Sequence, residues 1–259
     1  AAGVAGVTDI YKVGGAQAVA ALSYGTQSIP RVDKIVGPGN IYVATAKRMV
    51  YGMVDIDMIA GPSDILIIAD ESADAAFVAA DMLGQSEHDE NAAAVLVTTS
   101  AVLAGEVQAE LKKQLALLSR KEIAEASLQK NGRILLTSTI EKAAELSNKI
   151  SPEHLEICVN EPFALLPAIR NAGSVFLGHY TPEALGDYFA GPNHTLPTAG
   201  TARFYSPLSV DDFVKKSSYL YYDKTALKQV ADKVITFAES EGLTAHANSV
   251  AVRKATEEA

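Results

Sequence analysis

Residues 64–100 read DILIIADESADAAFVAADMLGQSEHDENAAAVLVTTS, and the order of apolar segments within them predicts the fold. The runs DILIIAD and AAVLVTTS are short, apolar and rich in β-branched residues, which is typical of strands buried on both faces. Between them, ADAAFVAADML repeats its apolar residues at a spacing near 3.6, which indicates an amphipathic helix. A strand, a helix and a second strand in this order predict a parallel βαβ unit.

The same alternation of strand and helix extends along most of the chain. Upstream, the pattern predicts the strands DIYKVG and KIVGPG, followed by the helices GAQAVAALSYG and NIYVATAKRMVYG. Downstream, the strands RILLTS, LEICV and SVFLG alternate with predicted helices at 101–119, 121–129, 139–150 and 161–171. We therefore expect an α/β protein whose parallel sheets are covered by helices on both faces.

The alternation of strands and helices ends after about residue 178. Gly, Pro and Thr crowd into GPNHTLPTAGTARFYSPLS, a long irregular segment of the kind that usually carries function. The helical tail TALKQVADKVITFAESEG follows and is predicted to end at Gly242.

Composition excludes several classes of protein. With 259 residues, 48% of them hydrophobic and 20% charged, the chain can form one or two globular domains with a substantial core. Lys and Arg number 22 against 31 Asp and Glu, a net charge of -9, and no basic cluster is interleaved with aromatics. Nucleic acids are therefore poor candidate partners.

The single cysteine, Cys158, lies in the apolar run LEICV and reads as a buried strand residue, which suits a reducing cytoplasm. No apolar stretch reaches the roughly 18 to 20 residues of a membrane span, and no signal-peptide pattern opens the chain. The sequence begins AAGVAGVTDI, without Met and in mid-pattern, so we expect it to be a piece of a longer protein.

Gln85 and His88 stand three residues apart at the end of the ADAAFVAADML helix, in GQSEHDE. This spacing places both side chains on one helix face, where they could bind the same ligand or ion. The alternative is a frayed, solvated helix end, because polar C-terminal ends of helices are common.

Three other segments place a histidine beside residues that suggest its role. Glu153 and His154 in SPEHLE precede a strand, where an acid beside an imidazole suits proton transfer, although an ordinary solvated turn is the alternative. His194, in GPNHT, could be held over a cleft or bond its own loop. For His179, in LGHY, the position at the end of a strand run favours a structural or surface role.

Gln85, His88, Asp187 and His246 offer nitrogen and oxygen ligands without thiolate, a mixture that suits zinc and allows manganese or cobalt. The compact metal signatures HExxH and CxxC are absent. GGAQA and VGPGN place glycines or a cap residue before a helix, as a nucleotide phosphate would require, but GxGxxG is missing and a tight turn explains them equally.

Longer blocks resemble one known family. These blocks are VGGAQAVAALSYGT, KIVGPGNIYVATAKR, DMIAGPSDILIIAD, GQSEHD, SPEHLEI, FLGHYTPEALGDYFAGPNHTLPT, SVDDF and EGLTAHANSV, and they run in order over nearly the whole chain. Together they are similar to the histidinol dehydrogenases. The resemblance implies a cytoplasmic homodimer that uses zinc and NAD to oxidise L-histidinol through the aldehyde to L-histidine, the last step of histidine biosynthesis.

The resemblance also implies roles for individual residues. The zinc ligands it implies are Gln85, His88, Asp187 and His246, the last coming from the partner subunit. His154 becomes the general base and Glu153 the group that activates water. The implied substrate-binding residues are Ser63, Gln85, His88, His154, Asp187, His194, Glu241 and His246, and the implied cofactor contacts are Gln17 and Asn40.

The family fold implies two large Rossmann-like domains, incomplete here because their N-terminal part is absent. Residues 1–63 are expected to be the C-terminal part of the cofactor-side domain, 64–208 the domain that carries the metal and catalytic residues, and 209–259 a helical dimerisation tail. Many relatives read GPSE where this chain reads GPSD, so Asp64 is a shorter acid beside Ser63. A metal-dependent hydrolase and a non-catalytic binding module are the alternative functions.

Overall fold

The computed structural model describes residues 1–255, which form two compact units that divide between Phe213 and Val214. In the first unit every strand pairing is parallel, so the expected α/β class is confirmed. The strands are β1 (Lys34–Ile35), β2 (Asp55–Ile56), β3 (Asp64–Ala69), β4 (Ala93–Thr98), β5 (Arg133–Leu136), β6 (His154–Cys158) and β7 (Ser174–Leu177).

The larger sheet has five strands in the order β5-β4-β3-β6-β7, with β3 at its centre. Its helices are α3 (Ala75–Ser86), α4 (Ala101–Leu115), α5 (Lys121–Asn131), α6 (Ile140–Ile150), α7 (Pro162–Leu165) and α8 (Glu183–Tyr188). The predicted βαβ unit at 64–100 is therefore present as β3, α3 and β4.

Alternate residues of β3 supply two separate cores. Ile65 and Ile67 pack with α3 and α4 on one face, whereas Leu66 and Ile68 pack with α6 on the other. All four are at most 1% exposed, and each such burial contributes about 1.5–3 kcal/mol. The continuous apolar run thus reflects a strand covered on both faces.

A smaller sheet, β1 paired with β2, packs with α1 (Gly15–Tyr24) and α2 (Ile41–Val50). Lys47 and Asp57 form a buried ion pair beside this sheet. The pair holds both sides of Gly37, whose N–H donates to Asp57 Oδ2 at 2.7 Å and whose oxygen accepts from Lys47 Nζ at 2.9 Å. Gly37 has φ +104°, which favours glycine, so the loop before α2 is fixed by buried charge.

Two sequence-based expectations for this unit are wrong. DIYKVG forms no strand, since its residues are exposed and have no strand beside them within residues 1–255. The helix expected at 161–171 ends at Leu165 and continues as a 3₁₀ turn, Leu166–Ala168, because Pro167 lacks the N–H that an α-helix requires.

The second unit contains α9 (Lys224–Ser240) and α10 (Thr244–Lys254), which pack against each other. Asp223 caps α9 by accepting from the Ala226 N–H, and Gly242 follows its end with φ +74°, as the sequence predicts. None of the helices within residues 1–255 is long and apolar enough to cross a membrane.

Candidate functional site

The polar residues of the candidate site collect at the amino ends of the two central strands. β3 begins at Asp64 and β6 at His154, and Ile65 lies opposite His154 in the parallel register. Because α3 connects the parallel strands β3 and β4, its C-terminal end returns to this edge with Gln85 and His88. Ligands of open α/β sheets usually bind at the carboxyl ends, so this site uses the opposite edge.

Glu153 is fixed by reciprocal hydrogen bonds with Asp64. The Glu153 N–H donates to Asp64 Oδ1 at 2.9 Å, and the Asp64 N–H donates to Glu153 Oε2 at 3.2 Å. Burial, followed by repulsion from the Asp64 carboxylate, raises the pKa of Glu153 to about 8, although a hydrogen bond from the Ser63 side chain opposes the rise. Glu153 therefore holds a proton at neutral pH when no cation is near.

His154 is held in one tautomer. Its Nδ1 lies 3.1 Å from the Asp64 carbonyl oxygen and 3.0 Å from Gln85 Oε1. Because a carbonyl can only accept, Nδ1 carries the hydrogen and Gln85 presents its oxygen to the ring. Burial lowers the pKa of His154 to about 3, so the ring is neutral. Its Nε2 is buried without a hydrogen-bond partner among the described residues and is free to accept a proton.

His88, Glu183 and Asp187 form a group that could hold a metal, with one donor atom from each within 4.8 Å of the others. Asp187 Oδ1 is buried, and although His194 Nδ1 lies 2.8 Å from it, that contact lacks the geometry of a hydrogen bond. Burial, followed by repulsion from Asp187, raises the pKa of Glu183 to about 8. A cation would relieve both effects, and the C-terminal dipole of α3 at His88 also favours positive charge.

A second group, His154, Asp187 and His194, also has donor atoms within 4.8 Å of one another. The His154 and His194 rings are stacked, with centroids 5.4 Å apart and planes inclined by 15°. Imidazole lone pairs lie in the ring plane, so stacked rings point them side by side rather than at one ion. His194 Nδ1 instead approaches Asp187 Oδ1 at 2.8 Å. The first group fits a tetrahedral metal better than this one.

The donor atoms of the first group are nitrogen and carboxylate oxygen, a set that fits zinc. Gln85 is fully buried on the same face of α3, but its Oε1 faces His154, and its Nε2 has no hydrogen-bond partner within residues 1–255. Gln85 thus orients the imidazole in this structure. Its role as a zinc ligand stays a prediction.

The proposed cofactor residues lie on the smaller sheet's helices. Asn40 caps α2, and its side chain accepts from the Tyr42 and Val43 N–H groups, so these amides are already used. Gln17 is exposed on the first turn of α1, where the N-cap Gly14 provides no side-chain cap. Both amide side chains are accessible to a nucleotide, and the N-terminus of α1 leaves more backbone donors free than that of α2.

The remaining predicted residues belong to the second unit. Glu241 follows α9 as its C-cap residue, and His246 lies in the first turns of α10. Both are exposed.

Sequence reasoning missed Glu183 and assigned Asp64 no function. Glu183 precedes Asp187 by four residues in EALGDY, the spacing that brings two side chains to one helix face. That spacing was the available signal. In the sequence Asp64 is distinguished only as a shorter acid beside Ser63, yet it bonds both Glu153 and His154.

Glu183 should make stability depend on pH in the metal-free chain. A carboxyl group whose pKa rises from 4.5 to about 8 on folding binds more protons folded than unfolded, so the free energy of unfolding falls as pH rises through that interval. Between pH 5 and 8 we expect the free energy of unfolding to fall by about 2–4 kcal/mol less in Glu183→Gln than in the unaltered chain.

Urea unfolding with a chelator present measures this difference. Glu106→Gln, which changes an exposed acid on α4, is the matched control and should behave like the unaltered chain. An equal loss of stability with pH in Glu183→Gln and in the control would contradict the assignment.

Comparisons with known proteins identify the family of this chain. The family model described as histidinol dehydrogenase matches residues 1–254. The histidinol dehydrogenase of Clostridium acetobutylicum is 63% identical over 253 residues, covering 98% of this chain and 59% of its own length. The histidinol dehydrogenase of Aquifex aeolicus is 59% identical over 254 residues, covering 98% of this chain and 60% of its own length.

A solved structure gives the same result. The crystal structure of histidinol dehydrogenase from Elizabethkingia anophelis superposes with a TM-score of 0.90 at 42% identity, covering 97% of this chain and 58% of that one. The chain spans about 60% of the length of these curated relatives. It belongs to the histidinol dehydrogenase family.

Proposed function

We propose that this chain carries the catalytic residues of a zinc-dependent, NAD-linked enzyme that oxidises L-histidinol through L-histidinaldehyde to L-histidine. The observation that supports this most directly is the neutral His154, with a free buried Nε2, beside Glu153 and a metal-capable group. The complete reaction, a cytoplasmic location and a homodimer are parts of the proposal, because the chain spans only part of its relatives' length.

The zinc-binding residues in this proposal are Gln85, His88 and Asp187, with His246 donated by the second subunit. Zinc held by these residues would supply Lewis-acid binding of substrate nitrogen atoms, and these residues would thereby position the carbon that loses hydride. Glu183 lies against this set, and a bound cation would favour the ionised form of its carboxyl group. Glu241 of the second subunit is proposed to contact the substrate with His246.

His154 and Glu153 are proposed to accept protons in different steps of the reaction. His154 accepts the hydroxyl proton of histidinol at Nε2, while Asp64 and Gln85 hold Nδ1 in the required tautomer. Glu153 accepts a proton from the water that adds to the aldehyde. Asp64 fixes the Glu153 carboxyl group and the His154 ring relative to each other, because its N–H donates to Glu153 Oε2 and its carbonyl oxygen accepts from His154 Nδ1.

The other substrate contacts surround this pair. Ser63 bonds the Glu153 carboxyl, and His194 stacks on His154 with part of its ring exposed. The flat faces of these rings suit an imidazole-bearing substrate. Gln17 and Asn40 are the proposed contacts of NAD, which accepts the hydride in each oxidation.

Zinc content and reduced-nicotinamide formation with histidinol test the proposal, on this chain and on a version extended to the full length of its relatives. We expect Asp187→Asn to weaken zinc binding roughly 10- to 100-fold, because a neutral amide replaces a charged donor. Activity should fall with it.

Glu106→Gln serves again as the surface control, and thermal unfolding shows whether Asp187→Asn keeps its fold. Cleavage of a substrate without reduced nicotinamide would instead favour a metal-dependent hydrolase. Unchanged zinc affinity in Asp187→Asn would show that the metal does not bind here.

A further inference from the structure

Glu156 is a buried carboxyl group that the proposed reaction does not use. It lies on β6 two residues after His154, so both side chains point to the face covered by α3. Glu156 is 1% exposed. A carboxyl group in such a place is unfavourable unless its oxygens are hydrogen-bonded.

One oxygen of Glu156 bonds the first residue of α8. Oε1 accepts from the Glu183 N–H at 2.9 Å. The N-cap residue of α8, Pro182, provides no side-chain cap, so the neighbouring strand supplies an acceptor that the helix start requires. α8 carries Glu183 and Asp187, two members of the metal-capable group.

The other side of Glu156 faces Asp81 on α3. Burial, followed by repulsion from Asp81, raises the pKa of Glu156 well above its usual value, whereas burial raises the pKa of Asp81 only to about 6. One proton shared between the two carboxyl groups would remove their repulsion and allow a hydrogen bond between them. Glu156 Oε2 is buried without a hydrogen-bond partner among the described residues, so it is the oxygen left to share that proton.

Glu156 and Asp81 connect the three elements that carry the site residues, which are α3, β6 and α8. Asp81 precedes Gln85 by four residues, so both lie on one face of α3, and His88 follows the C-terminal end of that helix. Glu156 joins that face to the start of α8, and it sits on the strand that begins with His154.

We infer that Glu156 is a positioning residue that fixes α8 against α3 and so sets the spacing of His88 and Asp187. The consequence for zinc rests on the proposed function. The consequence for α8 itself does not, because the bond to Glu183 is present without metal.

Two substitutions of similar size separate this role from simple packing. Glu156→Gln keeps an oxygen for the Glu183 N–H and an N–H for Asp81, whereas Glu156→Met fills the space but can do neither. We expect Glu156→Met to weaken zinc binding about 10- to 100-fold, the usual effect of removing a group that orients metal ligands. Glu156→Gln should stay within about threefold of the unaltered chain.

Zinc affinity is measured by competition with a chromogenic chelator, with Asp187→Asn as the reference for a lost ligand. Hydrogen exchange of the Glu183 amide in the metal-free chain is the second readout. It should be about tenfold faster in Glu156→Met and unchanged in Glu156→Gln.

Equal zinc affinity and equal Glu183 exchange in the Met and Gln variants would overturn the inference. This holds whether both variants match the unaltered chain or both bind zinc more weakly and exchange faster. If Asp187→Asn leaves zinc binding unchanged, the proposed metal site is wrong, and the exchange of Glu183 alone decides the positioning role. Faster exchange in Glu156→Met with zinc affinity unchanged would limit Glu156 to holding α8 and would refute its effect on the ligands.

Discussion

Replacing His154 with alanine is expected to slow histidinol oxidation by roughly 10² to 10⁴-fold, the usual loss when a general base is removed. The proton of the alcohol must leave before the carbon can release hydride. In the unaltered protein the acceptor is a neutral imidazole, because burial lowers the pKa of His154 to about 3. Above pH 5 its titration therefore does not limit the alcohol step.

The pH dependence of the variant distinguishes a base from a merely supporting ring. Without the imidazole, the proton must pass to water or hydroxide, so the residual rate of His154→Ala should rise with pH while that of the unaltered enzyme is level. The measurement is the initial rate of reduced-nicotinamide formation in the full-length enzyme, with zinc content determined in parallel. A level profile in the variant, or a rate loss that follows zinc loss, would contradict the base role.

The local fold was predictable from sequence wherever burial imposes a clear pattern. Ile65 to Ile68 are apolar at every position because both faces of β3 are covered, and this continuous run identifies a central strand. Where burial is absent the prediction fails, as in DIYKVG, whose β-favouring residues Ile10, Tyr11 and Val13 are exposed. Strand formation depends on neighbours that local sequence does not contain.

The site was predictable only in part. Spacing placed Gln85 and His88 on one helix face, but their proximity to residues 153, 154 and 187 came from family resemblance, since contacts between distant segments leave no local pattern. The sequence does not identify Glu156, because a polar residue within the apolar run LEICV has no periodic signal. Its partner Asp81 is recognisable only when α3 lies on the sheet.

Glu153→Gln is expected to separate the two oxidations. Aldehyde oxidation first requires addition of water to the carbonyl, because only the hydrated form carries a hydride that can leave to give the acid. Glutamine keeps the oxygen that accepts from the Asp64 N–H at 3.2 Å, so the start of β6 should be preserved. It cannot accept a proton, so the rate with histidinaldehyde should fall by roughly 10² to 10⁴-fold while histidinol is still oxidised and aldehyde accumulates.

Supplying histidinol and histidinaldehyde separately to the full-length variant tests this division of roles. Asp64→Asn is the matched control, since it removes the neighbouring charge but leaves an acceptor for the Glu153 N–H and both Glu153 oxygens in place. In the unaltered enzyme the aldehyde rate should rise with pH to a plateau as Glu153 loses its proton, and in Glu153→Gln that plateau should be absent. If Glu153→Gln instead slows the alcohol and aldehyde steps equally, with zinc retained, Glu153 acts only by orienting His154, and the water that adds to the aldehyde has another base.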